Sequence, residues 1–302
     1  MGQGDIGFAP TRIDKGRGVN VLAGTQGELL KIDDRGTNIG EFSLPFPAPS
    51  IDGVVLGDRW VGIWLDREFN EARMAALPLG KEWGNGPTRE ELRLSSSESQ
   101  VHPECAMWER TLDSEPMKMG RSGDNIVFST FSGIYLIDKD AKEIWRGVLP
   151  IWPEISKMGV HDRIVGIVEF RGSLAIWSQA GGISVIDPSN GVEIYSRIVS
   201  IQDKISDVVY HEDGGWMIML HGSSIGLMEN IEGGISIIDT EGPVFDSRFE
   251  DGVWSWTGWR HDGLLTNGRA QMTSRDDIGV AILRGVVLTN DGQRNEIRGY
   301  SD

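Results

Sequence analysis

The sequence predicts an all-β protein with the β-propeller fold, in which four-stranded antiparallel sheets surround a central channel. Two observations predict it. A strand–turn–strand pattern recurs along the 302 residues at intervals of about 50, and repeats of that period are typical of propellers. The chain also has 40 glycines, which indicates many tight turns between short strands. One such sheet cannot bury both of its faces, so neighbouring sheets stack, and a closed ring leaves no end of the stack exposed.

The repeat consists of a glycine, a short apolar run, an Ile-Asp pair and a turn. Its aspartates lie 105, 49 and 52 residues apart, which predicts a degenerate copy, for which residues 60–80 are the candidate, and a last copy at 285–293. This spacing favours six blades in one domain, residues 1–302, with seven as the alternative if residues 240–302 hold two short blades. The four clear copies are GELLKIDDRGTNIGEF with Asp33, GIYLIDKDAKEIW with Asp138, GGISVIDPSNGVEIYSR with Asp187 and GGISIIDTEGPVFDSR with Asp239.

Three histidines mark the repeat a second time. His161, His211 and His261 are each followed by acidic residues and are spaced by 50 residues, which predicts that they lie in the turn between the first two strands of their blades. Three imidazoles on one rim would suit a metal such as zinc. Equivalent positions in successive blades are spread around a ring, so the alternative is that each pair only stabilises its turn.

The longest irregular stretch, residues 81–122, predicts an insertion in one blade. It contains the best helix candidate, PTREELRL at residues 87–94, where Thr88 and Glu91 form a capping box. Long loops in compact domains often carry function, so the insertion is expected to bind a protein partner.

Candidate binding residues within the insertion are His102, Glu104 and Trp108. The neighbouring Cys105 is predicted to be a small buried apolar residue, because no orienting group or oxyanion site accompanies it as a nucleophile.

A second group of candidate binding residues lies in the run VWSWTGWRHDG, which contains Trp254, Trp256 and Trp259. Aromatic faces near the channel can stack on a sugar or hold a cation. The alternative is that these large flat side chains fill the space between blades.

The charge balance excludes some partners. The chain carries 29 basic and 45 acidic residues, a formal net charge of −16, so neither a phosphate backbone nor an anionic membrane surface is an expected partner. No apolar run approaches the length of a membrane-spanning helix, the first residues show no signal-peptide pattern, and the single cysteine cannot form an internal disulfide. The expectation is a soluble cytoplasmic protein.

The run GIYLIDKDAKEIW resembles the PQQ-like repeat family, in which a glycine, a strand ending in Asp, a turn and a terminal Trp recur in each blade. Asp138 and Trp145 match that pattern, and Tyr195 takes the place of the Trp in the third copy. The WD-repeat family is a near neighbour, although its Gly-His and Trp-Asp pairs are missing. The resemblance implies a propeller fold, in a family that includes quinone-dependent dehydrogenases and scaffolds such as the lipoprotein of the outer-membrane barrel assembly machinery. Its enzymes use a vicinal cysteine pair that this chain lacks, which argues against quinone chemistry.

No catalytic motif accompanies the repeats, and a fold alone does not define a function. We therefore expect a non-enzymatic protein–protein interaction scaffold without a cofactor, bound to a protein partner that the sequence does not identify. Two alternatives stay open. One is a propeller enzyme, a metal-dependent hydrolase or lyase, and the other is a propeller that binds a sugar or small molecule at the mouth of its channel.

Overall fold

The computed structural model describes residues 5–94, 101–266 and 268–297. These residues form seven antiparallel sheets of three or four strands. The first strand of each sheet contacts the first strand of the next sheet, and the last sheet contacts the first. The chain is therefore a closed seven-bladed β-propeller, with the first strand of each blade at its centre.

The first four blades follow one another along the chain as antiparallel meanders. Blade 1 contains β1 (Pro10–Asp14), β2 (Asn20–Gly24) and β3 (Leu29–Ile32). Blade 2 contains β4 (Ser50–Leu56), β5 (Arg59–Asp66), β6 (Glu71–Pro78) and, after helix α1 (Arg89–Leu94), β7 (Trp108–Thr111). Blade 3 contains β8 (Pro116–Ser122), β9 (Asn125–Thr130), β10 (Gly133–Ile137) and β11 (Glu143–Gly147). Helix α2 (Pro153–Lys157) precedes blade 4, which contains β12 (Ile164–Phe170), β13 (Ser173–Ser178), β14 (Gly182–Ile186) and β15 (Glu193–Ile198).

The last three blades complete the ring. Blade 5 contains β16 (Ile205–His211), β17 (Gly215–Leu220), β18 (Ser224–Met228) and β19 (Ser236–Asp239). Blade 6 contains β20 (Val244–Glu250), β21 (Val253–Gly258), β22 (His261–Thr266) and β23 (Arg269–Ser274). Blade 7 contains β24 (Gly279–Ile282), β25 (Val286–Thr289) and β26 (Arg294–Glu296). In the described ranges, no helix is long and apolar enough to cross a membrane.

The favoured number of six blades was wrong, and the alternative of seven is confirmed. Residues 240–302 hold both blade 6 and blade 7, as that alternative required. The blades are also less regular than the repeat suggested, because their first strands begin at intervals that range from 35 to 66 residues.

The repeat marks hairpins but not their position within a blade. Asp33, Asp138 and Asp187 each follow the third strand of a blade, and each accepts a hydrogen bond of 2.8–2.9 Å from the backbone N–H two residues further on. Asp239 instead ends β19, the fourth strand of blade 5. The candidate copies at 60–80 and 285–293 begin with second strands. Any hairpin can carry a glycine, a strand and an Asp turn, so counting such copies gave too few blades.

The hydrophobic core is divided among the seams, by which we mean the contact layers between neighbouring blades. A separate apolar cluster fills each of the seven seams. Seam 5–6, for example, buries Met217 and Trp256 with no exposed surface. Full burial of a large apolar side chain contributes about 1.5–3 kcal/mol, so the stacking of blades is the main source of stability.

Within the part of the chain that the structure describes, the ring closes by packing and not by a strand shared between its ends. Residues 10–14 pair with β2 of their own blade, while Ile6 packs with Leu22 and Leu288 in the seam between blades 7 and 1. Arg294 adds a hydrogen bond of 2.6 Å from its Nε to the Gly36 carbonyl across the same seam.

The insertion is shorter than the sequence suggested and packs against the propeller. Its described part between the strands comprises residues 79–94 and 101–107, and the residues after them form β7 and β8. Helix α1 begins with the predicted capping box, in which the Thr88 N–H donates to Glu91 Oε2 at 2.7 Å and the Glu91 N–H to Thr88 Oγ1 at 3.2 Å. Trp83, Leu92 and Cys105 pack into seam 1–2, beside blade 1, which has three strands among the described residues. These three side chains of the insertion are therefore used within the molecule, whereas Leu94 is 84% exposed.

Candidate functional site

The linker between blades 3 and 4 differs from the other linkers. It spans residues 148–163 and, like the linker between blades 1 and 2 at residues 33–49, is much longer than the four to six residues that join the other consecutive blades; unlike that linker, it contains a helix. It lies at the end of the propeller where the first strands begin, which we call the top. The other end, where the first strands finish, is the bottom.

Buried anchors hold this linker against the blades. Pro153 opens helix α2, where its fixed φ suits the first turn, and Gly159 follows the helix with φ +64°. Trp152 and Ile155 are almost completely buried in seam 3–4. The Trp152 ring lies so close to Gly182 that a Cβ there would come within 2.2 Å of it, which only glycine permits. The linker is therefore fixed against blades 3 and 4 by its buried side chains.

The outer side of the same linker is apolar. Val148, Ile151 and Met158 are 85%, 72% and 72% exposed, and Val160 beside them is 40% exposed. The exposed Phe131, from the turn between the second and third strands of blade 3, adjoins them. We call these five residues the linker patch.

Three residues of the linker patch, Phe131, Ile151 and Val160, line a small cavity of about 140 Å³. Met117 from the first strand of blade 3, Ile164 from that of blade 4, and Leu149 and Ile155 of the linker are among the apolar residues that line it. Its volume suits one large apolar side chain. The charged Asp162 and Arg163 also line the cavity, so the site combines apolar and polar groups as a protein interface does.

The central channel is the second concave feature, and it is charged. Every first strand has a β-bulge just after its first residue. Charged residues that directly follow these bulges meet across the channel, as in the 3.3 Å contact of Lys118 in blade 3 with Asp207 in blade 5. The charged residues at this position are Arg12, Asp52, Lys118, Asp207 and Asp246.

Two channel carboxylates also join neighbouring blades. Asp52 Oδ2 accepts the backbone N–H of Met119 at 2.6 Å, and Asp246 Oδ2 accepts that of Ile282 at 2.7 Å. Burial raises the pKa of both carboxyl groups, despite nearby Lys118 and Lys15. Because these charged groups already bind one another and the backbone, we interpret them as structural groups that hold neighbouring blades together.

Two of the three predicted tryptophans lie inside the molecule. Trp256 has no exposed surface and Trp254 is 3% exposed, both in seam 5–6. The Trp254 Nε1 donates to the Gly214 carbonyl at 3.0 Å. Neither ring offers an open face, so a sugar platform made of this pair is wrong. Trp259 lies on a top turn and is 48% exposed.

The three predicted metal-binding histidines occupy three different structural positions. His161 lies in the linker before blade 4, His211 ends the first strand of blade 5 at the bottom, and His261 begins the third strand of blade 6. Only His211 therefore adjoins the predicted turn, because the 50-residue spacing did not follow the blades. The described residues contain no group of three or more His, Cys, Asp or Glu that could hold a metal ion.

The predicted residues of the insertion make contacts within the molecule. His102 Nδ1 lies 2.6 Å from Glu109 Oε1, and the Glu104 N–H donates to the Pro45 carbonyl at 2.9 Å. Trp108 Nε1 donates to the Lys139 carbonyl of blade 3 at 2.7 Å. Their binding role stays a prediction.

The sequence reading missed the linker patch. Its signal was the run VLPIWPEISKMGV, which is apolar without a strand period and has two prolines. Such a run is equally compatible with a fully buried segment, and only the folded structure shows which of its side chains are exposed to solvent.

No family model matches the chain, and no curated protein matches it. Three solved structures are similar to it. The β-propeller domain of Cps50 (Swd1) from Myceliophteria thermophila has a TM-score of 0.66 and 10% identity over 95% of both chains. The computationally designed Ika8 protein has a TM-score of 0.58 and 10% identity over 95% of both chains. BamB from Moraxella catarrhalis has a TM-score of 0.53 and 12% identity, covering 93% of this chain and 82% of its own. At such identities the likeness shows the fold alone, and it confirms the fold-level resemblance to WD-repeat and PQQ-like propellers.

Proposed function

We propose that this protein is an interaction scaffold whose top face binds a protein partner at the linker patch. The observation that carries the proposal is the group of exposed apolar side chains around the 140 Å³ cavity. Apolar side chains that stay in water although a rigid anchor holds them are typical of binding surfaces.

The cavity indicates the kind of contact. A partner that inserts one large apolar side chain between Met117 and Ile155 would bury the linker patch around that anchor, and such anchored positions usually dominate binding energy. Trp259, exposed on the equivalent top turn of blade 6, is a further contact point for a large partner. The similarity to the Cps50 (Swd1) propeller domain is consistent with a scaffold.

The test compares two exposed substitutions in the patch with one outside it. Ile151→Glu and Met158→Glu place a charge on the patch and leave the buried anchors Trp152 and Ile155 intact. Val192→Glu is the matched control, because Val192 is 60% exposed on the far side of blade 4.

The measurement is native mass spectrometry of the protein purified gently from its own host. We expect a polypeptide bound at fixed stoichiometry to the unaltered chain and to Val192→Glu, and lost from both patch variants. The same polypeptide on all four proteins would place the interface elsewhere, and a chain that never carries a polypeptide would contradict the scaffold proposal.

A further inference from the structure

Two neighbouring seams of the propeller carry equivalent aromatic groups at the bottom. In seam 4–5, Tyr210 pairs across strands with Trp216, and the Phe170 ring of blade 4 lies 5.7 Å from the Tyr210 ring and 5.2 Å from the Trp216 ring. Seam 5–6 repeats this arrangement with Phe249, its cross-strand partner Trp254, and His211 of blade 5. The two groups occupy the same positions relative to the bulges of their strands.

Seam 5–6 is closed by the turn of blade 5. That turn has three residues, 212–214, and Gly214 lies directly on the ring of Phe249, where a Cβ would come within 2.5 Å. The Gly214 carbonyl also accepts the N–H of Trp254 at 3.0 Å. The turn therefore packs directly on this aromatic group, and the indole N–H of Trp254 is satisfied.

Seam 4–5 is open at the equivalent place. The turn of blade 4 has two residues, Arg171 and Gly172, and a Cβ on Gly172 would meet no atom within 4 Å. A cavity of about 500 Å³ adjoins the rings instead. The Tyr210 hydroxyl is buried and has no hydrogen-bond partner among the described residues. The cavity of seam 4–5 therefore adjoins the rings at the place where, in seam 5–6, the longer turn packs on them.

The uncovered cavity combines aromatic rings with carboxylates. Phe170, Tyr195, Tyr210 and Trp216 line it, together with residues 229–233 of the turn between the third and fourth strands of blade 5. That turn contributes two exposed carboxylates, Glu229 and Glu232, to the lining of the cavity. Arg171 is the one basic residue in the same lining.

Ring faces and carboxylates both attract cations. An alkylated ammonium group suits this mixture, because its methyl groups pack on aromatic faces while its charge is drawn to the ring quadrupoles and carboxylates. Its weak hydration also makes it easier to transfer from water than a plain ammonium group. The cavity is within the range for small ligands, about 300–1,000 Å³.

We propose that the pocket between blades 4 and 5 binds an alkylated ammonium group, with Phe170, Tyr195 and Tyr210 as the aromatic walls and Glu229 and Glu232 as the counter-charges. The pocket lies at the bottom of the propeller, at the opposite ends of the first strands from the linker patch, so the proposal does not rest on the proposed function. The group can belong to a free small molecule or to a methylated lysine side chain.

Isothermal titration of the full chain with four probes tests the charge and its source. The probes are tetramethylammonium, acetyl-trimethyllysine amide, acetyl-lysine amide, and the neutral tert-butyl analogue of trimethyllysine, which has the same shape. We expect both quaternary probes to bind and to exceed the neutral analogue and plain lysine by about tenfold. Tighter binding of trimethyllysine than of tetramethylammonium would indicate a protein side chain as the source, and equal binding would indicate a small molecule. A neutral analogue that binds as well as trimethyllysine, or no binding of any probe at about 10 mM, would overturn the proposal.

Matched variants locate the site. Tyr210→Leu should weaken the binding of trimethyllysine about tenfold, while the equivalent substitution in the closed seam, Phe249→Leu, should leave it within twofold. The double variant Glu229→Gln with Glu232→Gln changes only exposed side chains and should also weaken binding, which keeps the test decisive if Tyr210→Leu fails to fold. Equal losses in Phe249→Leu, or full affinity in the double variant, would contradict this location.

Discussion

The carboxylates of the channel and those beside the insertion helix are the same chemical groups with Arg or Lys partners, yet folding moves their pKa values in opposite directions. Burial raises the pKa of Asp52 and Asp246 in the channel. Beside α1, hydrogen bonds from Arg93 and Arg89 lower the pKa of Glu68 to about 2. The partners of both groups are close, so the difference lies in the surroundings.

The difference in pKa direction follows from how much hydration each carboxylate keeps in the folded protein. Glu68 is exposed and keeps much of its hydration, so the paired hydrogen bonds from two guanidinium groups at 2.7–3.1 Å add to a charge that is already stable. Asp52 is almost completely buried, and the loss of hydration outweighs the attraction of Lys118 and Arg12. A short distance to a cation is therefore not enough to predict the direction of a pKa shift.

The largest expected effect comes from removing the channel carboxylate. Asp52→Ala leaves the Met119 N–H without its acceptor and Lys118 with less opposite charge, so we expect a loss of about 2–3 kcal/mol in the free energy of unfolding. Urea unfolding followed by tryptophan fluorescence measures it. Asp52→Asn is the control, because its amide oxygen can still accept the N–H. A loss in Asp52→Ala below about 0.5 kcal/mol would show that the carboxylate does not join blades 2 and 3.

A medium effect should appear in the pH dependence of two variants. The raised pKa of Asp52 means that its contribution to stability is present below its unfolded pKa and is lost as pH rises through the folded value. The lowered pKa of Glu68 means that its contribution is present above its ordinary value of 4.5 and is lost as pH falls toward about 2. Relative to the unaltered chain, Asp52→Asn should gain stability as pH rises, and Glu68→Gln should gain as pH falls.

Urea unfolding of the three proteins between about pH 3 and pH 7 checks both trends. Trends of the same sign would mean that burial does not separate the two regions.

The smallest effect concerns salt. The exposed pairs of Glu68 with Arg89 and Arg93 should weaken as ionic strength rises, because the screening length falls to about 3 Å at 1 M salt. The stability difference between the unaltered chain and Arg93→Gln should therefore vanish in about 1 M NaCl, while the loss in Asp52→Ala should stay largely unchanged. A difference for Arg93→Gln that persists in high salt would point to packing of its side chain instead.

The sequence predicted those features that depend on near neighbours. The capping box joins Thr88 and Glu91, and the turns of Asp33, Asp138 and Asp187 join residues at most four positions apart, so residue type and spacing were sufficient.

Features that depend on the ring could not be predicted in the same way. Asp52 meets Met119 across 67 positions of sequence, and the burial that raises its pKa arises only when seven blades enclose a channel. The two-residue alternation of a strand correctly predicted that Trp254 and Trp256 lie on the same face. Whether that face is buried in a seam or exposed to solvent depended on the packing of blade 5. The open pocket beside Tyr210 likewise depends on one residue fewer in the turn of the preceding blade.

The packing that closes the ring sets where it can come apart. The backbone runs through six of the seven seams and links each blade to the next, but it does not cross the seam between blades 7 and 1. Blades 7 and 1 are therefore joined only by non-covalent contacts, whereas the backbone links every other pair of neighbouring blades. Hydrogen exchange by local opening should therefore begin in β1 and β24 and spread away from this seam in both directions, a course that the near-symmetry of the ring would not by itself reveal.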